Sequence, residues 1–319
     1  MSYYIDRYVK FVEESSWATK GTPNTFPNYL LNFEGAIIDH RVDENIIAGH
    51  RDAKSRTYVH REVAAVMRVQ PVSARFFEYC LGSVSTASGG SLPATITVGT
   101  TLPSITAERV FRPVPSAESS KDKMTLWGLK VDTWELTIEQ GEDVILELNF
   151  AGFNGTIEDA TWNPPEVDYS IEPIAYHELA LEWNGVQATG LRRLVISGNN
   201  NLEARYSSSG TLSPTYCCQE LREGAKEVSG RFVIDRDLAT WAERALSRSE
   251  GTIECTISSN YCTVSITLNN VGLDEYREPI AGLDPMEVEI PFVCRRLDST
   301  TPVIVIVQDG SGLWSSLAY

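Results

Sequence analysis

The sequence predicts a mainly β fold made from one unit used twice, each copy carrying a single helix. Three observations carry that reading. Residues 61–83 (REVAAVMRVQPVSARFFEYCLGS) and 226–248 (KEVSGRFVIDRDLATWAERALSR) align without a gap, with five of 23 positions identical and Met67/Phe232, Val69/Ile234 and Phe76/Trp241 matched in kind. Both segments change from period two to a helical period at the same place, which marks a strand running into a helix. Last, the duplicated β-rich unit comes without a catalytic constellation, which points to a protein that builds something.

In the first copy, alternation puts Val63, Ala65, Met67 and Val69 on one face of a strand. In the second, Val228, Gly230, Phe232 and Ile234 take those places, with Ser229, Arg231 and Asp235 opposite. The first helix is expected to be capped by Ser73 and ended by Gly82, the second to lie behind Asp235 or Asp237 with Leu238, Trp241 and Ala245 as its stripe. A strand pair follows each helix. Leu129 and Val131, then Trp134, Leu136 and Ile138, alternate with a change of parity near Asp132 and Thr133 that predicts a β-bulge. A turn at Gln140-Gly141 leads back through Val144, Leu146, Leu148 and Phe150. The second pair is Cys262–Leu268 and PMEVEIPF, where LELNF laid on VEIPF matches Glu147 with Glu289.

The expected division is 1–157 for the first domain, with an N-terminal arm and a Ser/Thr/Gly/Pro-rich inserted loop at 84–123, then a linker at 158–175 with three prolines, then 176–319. A polar loop is expected at 39–56. The run TPVIVIVQDG near the end is strongly β-prone and must find a partner strand, in the subunit or on a neighbour.

The chain has 319 residues, room for two domains of about 150 each. It is 42% apolar and 22% charged, ordinary for a folded protein. No apolar run approaches the roughly 20 residues that span a bilayer, and the N-terminus lacks a signal-peptide layout, so membrane insertion is not expected and cytoplasmic synthesis is. Net charge is −16 and the pI about 4.7. Such acidity disfavours tight binding to nucleic acid or anionic lipid. It serves solubility, or makes a wall that DNA passes without sticking.

Known chemistry is missing. The six cysteines show no C-x-x-C and no zinc spacing, so buried free thiols are expected. His40, His50 and His60 lie ten apart and His177 stands alone, outside any ligand motif. There is no nucleophile elbow, P-loop or dinucleotide fingerprint. The Asn-rich stretch at 198–201 reads as turn chemistry rather than a calcium loop. No catalytic residue, metal site or cofactor is expected.

Several motifs resemble the major tail tube proteins of long-tailed (siphovirus-like) viruses, in the form that carries two tube domains per polypeptide. They are Glu13-Glu14-Ser15-Ser16-Trp17-Ala18-Thr19, the strand–helix unit in both halves, TWELTIEQGEDVILELNFAGFNG at 133–155, and GNNNLEARYSSSGTLSP followed by REGAKEVSGRF at 198–232. The resemblance implies two tandem tail-tube-like β-sandwich domains, each with one flanking α-helix, whose sheets join across subunits around a lumen. It implies three copies per pseudo-sixfold ring, with homotrimeric rings stacked head-to-tail in the virion tail and assembled in the host cytoplasm. The implied partners are the tape measure, tail terminator and baseplate or tip proteins, with double-stranded DNA in transient passage. Residues 1–28, 39–56 and 84–123 are the expected inter-ring contacts, and 303–307 is a candidate for pairing with a neighbour. Glu135, Glu147, Glu287 and Glu289 are the candidate lumen-facing acids. The alternatives are a secreted or surface β-sandwich carbohydrate-binding or adhesin module, and a hydrolase on a β scaffold.

Overall fold

A computed structural model of the chain describes residues 7–24, 29–44, 55–87, 91–112, 122–164, 173–174, 179–188, 190–206, 218–235, 241, 243–244, 250–258, 262–273, 287–296 and 302–310. The protein is mainly β. Seventeen strands form one hydrogen-bonded network in which every pairing is antiparallel, and a two-stranded ribbon, β13 (Glu203–Arg205) with β14 (Glu220–Arg222), stands apart. Among the described residues helix is almost absent.

Seven strands make a continuous central sheet, paired in the order β2 (Leu30–Glu44), β3 (Ser55–Val69), β8 (Ile145–Gly152), β7 (Lys123–Glu139), β12 (Leu191–Asn199), β15 (Glu227–Asp235) and β18 (Glu287–Cys294). Alternation works as read from the sequence. Val63, Ala65, Met67 and Val69 are buried, as are Val228, Phe232 and Ile234, and Trp134, Leu136 and Ile138 on β7. A fully buried side chain the size of Phe232 is worth about 1.5–3 kcal/mol against leaving it in water.

The remaining strands cover that apolar face. The first set is β1 (Arg7–Glu13), β6 (Ile105–Phe111), the start of β7, and β9 (Asn154–Glu158). The second is β10 (Leu179–Trp183) with β11 (Val186–Gln187), then β16 (Glu250–Ser258), β17 (Cys262–Leu273), β19 (Ile304–Gly310), β5 (Ser91–Val98) and β4 (Gly82–Ala87). Two strands serve both layers. β7 turns at Gly128 (φ 67°) and β17 at Asn270 (φ 54°), a left-handed conformation that Gly adopts freely and Asn tolerates.

One set of pairings recurs along the chain. β1–β6, β6–β7, β2–β3, β3–β8 and β7–β8 are followed by β10–β16, β16–β17, β12–β15, β15–β18 and β17–β18. The registers recur too. Met67 faces Leu148 where Phe232 faces Ile290, and Ala65 faces Phe150 where Gly230 faces Phe292. A register shift between Ile105 and Ala107 has its counterpart between Gly251 and Ile253. The contact of Phe11 with Phe76 (centroids 6.1 Å apart) is matched by that of Trp183 with Trp241 (5.7 Å).

Several expectations need correction. The single described helix, α1 (Phe76–Leu81), has six residues and starts after Arg75 with no side-chain cap, so Ser73 is not its cap. Gly82 does end it, in the left-handed conformation with its N–H on Glu78 O. Phe76, Phe77, Tyr79, Cys80 and Leu81 are all buried, so the helix is enclosed in the core rather than laid across its outside. Of the second expected helix only Trp241, Glu243 and Arg244 are described, and they are helical. The described part of the segment 84–123 is largely strand: the end of β4, then β5, β6 and the first residue of β7 fall in it, and Ala94, Ile96, Ile105, Ala107 and Val110 are core residues. The bulge stands where read, between Val131 and Thr133. Within the expected linker, Ile174 is buried and hydrogen-bonds through its backbone to Pro71 O and Val144 N. The final strand finds its partners within the chain, since β19 pairs with β17 along its length and with β5 over Val305–Gln308.

Candidate functional surface

The side of the central sheet that turns away from the core carries many charged side chains among the described residues. Strand alternation puts Glu34, Ile38 and His40 there from β2, Glu62 and Arg68 from β3, and Glu147 from β8. β7 adds Glu135 and Glu139, β12 adds Arg193, and β15 and β18 add Arg231 and Glu289. The named acids number six and the arginines three, so the face is acidic on balance.

Three of the four acids read from the sequence can be placed. Glu135 is exposed, directly opposite Glu147 on one side and Ser197 on the other. Its carboxylate accepts from Thr137 Oγ1 at 3.4 Å and from Ser197 Oγ at 3.3 Å. Glu147 is half-buried between Glu135 and Arg68. Glu289 is exposed and pairs with Arg231 at 3.7 Å, as Glu139 does with Arg193. Glu287 opens β18, and its side chain lies outside the described residues. The first two acids share a neighbourhood, while Glu289 stands several strands away across β12 and β15.

The residues of the sequence motifs do a different job: they tie segments together. Glu14 is buried, and its carboxylate accepts from Ser104 Oγ (2.7 Å), Thr106 Oγ1 (2.8 Å) and Gly128 N (2.7 Å). Trp17 Nε1 donates to Gly128 O. Asn200 is buried too, and its amide donates to Cys80 O and Val131 O, joining the end of β12 to α1 and β7. Lys130 Nζ meets Glu223 Oε1 at 2.7 Å with both side chains largely shielded, and the same oxygen accepts from Leu102 N. Lys226 Nζ donates to Leu81 O and Gly99 O, while burial lowers its pKa from the ordinary value against the opposing pull of Glu223. Of these groups Glu223, Lys226 and Gly99 line a groove of about 880 Å³ between the ends of β5, β15 and β18.

The five described cysteines, Cys80, Cys218, Cys255, Cys262 and Cys294, are buried and free, and Cys217 lies outside the described residues. Burial pushes the Cys255 and Cys294 thiols up to about 12. Sequence spacing missed one cluster, that of His40, His60 and Glu62. The β2–β3 register sets His40 opposite His60, so a separation of twenty residues becomes a direct cross-strand contact. His50 and His177 lie outside the described residues.

A continuous antiparallel sheet with a filled core behind it and an acidic face in front defines the class as a mainly β protein. The family model described as phage tail tube protein matches residues 5–294, and the chain belongs to that family. It is a phage tail tube structural protein, non-enzymatic, and a component of the phage tail; proteins of this kind polymerise. A search of curated proteins finds no match.

Proposed function

We propose that each chain supplies two tube domains, that three chains close a pseudo-sixfold ring, and that the acidic sheet face lines its lumen, through which DNA passes. The observation that carries this reading is the recurrence of five strand pairings in one register, together with the β7–β12 pairing that joins the two sets inside one chain. That internal seam pairs Thr133–Glu139 with Arg193–Asn199. Repetition of the seam around a ring calls for a second one on β2, the counterpart of β12. Among the described residues β2 pairs only with β3, and Leu31 and Ile38 on it are exposed apolar side chains. A strand added there from a second copy would continue the sheet.

Ring stacking is head-to-tail, a heterologous contact that does not close, so the tube needs other proteins at its ends. This leaves roles for a tail terminator and for baseplate or tip proteins, with a tape measure setting the length. Beyond Ile38 and Val63, the β2 and β3 strands pair only with each other among the described residues and leave the sheet as an arm suited to gripping the next ring. DNA carries about one negative charge per 1.7 Å of axis, so a basic lumen would hold it through many salt-sensitive contacts, and an acidic one lets it slide.

Purified protein concentrated stepwise should give rings and then tubes in negative stain, with native mass spectrometry showing multiples of three chains. A protein that stays monomeric at every concentration, or closes with six chains per ring, would overturn the proposal.

A further inference from the structure

We propose that His40, His60 and Glu62 form a binding site for one divalent transition-metal ion of the zinc class. The inference does not depend on how copies of the chain assemble.

The backbone builds the site. His40 and His60 are a cross-strand pair at the root of the β2–β3 arm, and Glu62 lies two residues along β3, so all three project from one face. The imidazoles stack at 4.2 Å between centroids with their planes 18° apart. His40 Nε2 and Glu62 Oε2 are 3.0 Å apart, and one ligand atom from each of the three residues lies within 4.8 Å of the others. A tetrahedral ion with N and O ligands at about 2.0–2.2 Å needs ligand atoms about 3.4 Å apart and must lie in the plane of each imidazole, so side-chain rotations that unstack the two rings complete the triad. Two imidazoles and a carboxylate are donors that suit zinc and its neighbours better than magnesium or calcium.

The surroundings agree. Arg61, between the two β3 ligands in sequence, points to the opposite face, where it is held by Asp39 (2.7 Å) and Asn154 (3.1 Å), so its guanidinium does not compete for the site. The His40 and Glu62 side chains are 41% and 49% exposed, which gives an ion a way in and leaves its fourth position to water. Tyr206, from the segment after β13, packs on His60 at 4.4 Å. A bound ion would therefore fix the root of the arm against that segment.

The test uses the full chain without a histidine tag, stripped with chelator and titrated with Zn2+ or Mg2+ in a calorimeter. We expect one Zn2+ per chain, a higher Tm in its presence and no response to Mg2+. His40→Phe with His60→Phe keeps stacked rings without donors and should weaken Zn2+ binding more than ~100-fold, beyond the range usual for outer partners of a metal ligand. Glu62→Gln, at an exposed position, gives a second variant with an intact fold and should weaken it by a smaller factor. Absence of Zn2+ binding to the parent chain, or unchanged affinity in the Glu62→Gln and folded histidine variants, would overturn the proposal.

Discussion

Glu135 and Glu147 stand directly opposite each other across the β7–β8 pair, two like charges at a position where opposite charges would stabilise. Glu147 has Arg68 opposite on its other side, whereas Glu135 has only the hydroxyl of Ser197 there. Replacing Glu135 by Gln should therefore raise stability by about 0.2–1 kcal/mol, while Glu147→Gln should be close to neutral because it also loses Arg68. Urea midpoints at low and high salt check this, and the Glu135→Gln gain should shrink as salt is added. Phage carrying Glu135→Lys, Glu147→Lys and Glu289→Lys should assemble tails yet eject DNA more slowly, with the delay relieved by salt. Unchanged ejection would remove these acids from the lumen.

Gly198 and Trp134 face each other at the seam between β7 and β12. A Cβ on Gly198 would lie 2.2 Å from the indole ring, which is buried and packs edge-on against Phe77 at 5.8 Å. Gly198→Ala should cost about 1–3 kcal/mol through overpacking. Ring formation should suffer more than folding does, since the seam itself is displaced. Thermal melts and electron microscopy of the same sample separate the two effects.

The matched family region ends at residue 294, yet β19 beyond it sits inside the network between β5 and β17. Ile304 and Ile306 are completely buried. Gln308 is buried as well, and its side-chain oxygen accepts from Ala74 N at 2.7 Å, the start of the turn into α1. Truncation after Pro302 should open two strand edges at once and yield insoluble protein. The milder Ile306→Ala should remain soluble and lose about 2–5 kcal/mol in urea unfolding.

What the sequence made legible were features written in local alternation. The faces of β3, β15, β7 and β8, the bulge before Thr133, and the match of Glu147 with Glu289 all lie within runs where every second residue is apolar. The strands in 84–123 escaped because β5 and β6 each have one partner far away in sequence, β19 and β1. Thr95 and Thr97 of β5 pair with Val307 and Val305, and a short Thr-rich strand shows its nature only once that partner is in place. The same holds for the histidines, where hairpin register rather than spacing brings His40 onto His60. α1 was visible as a helix, but its enclosure was not, because near-complete burial leaves no polar face to read.

Cys255 and Cys294 lie in the core as thiols whose pKa burial raises from 9.0 to about 12. A raised folded-state value means that the native state holds these protons more tightly than the unfolded chain does. Their contribution to stability is thus complete below pH 9 and is lost as pH rises toward 12. Lysines and tyrosines also titrate in that window, so the comparison must be internal. Cys255→Val with Cys294→Val should show a flatter fall of urea midpoint between pH 8 and pH 11 than the parent chain. The same burial shields the sulfurs from reagents. At pH 8 the native parent should react with a thiol-specific dye at few or none of its five described cysteines, and unfolding in urea should release them all. Rapid native labelling at Cys255 or Cys294 would mean that strands β16 or β18 open far more readily than their pairing implies.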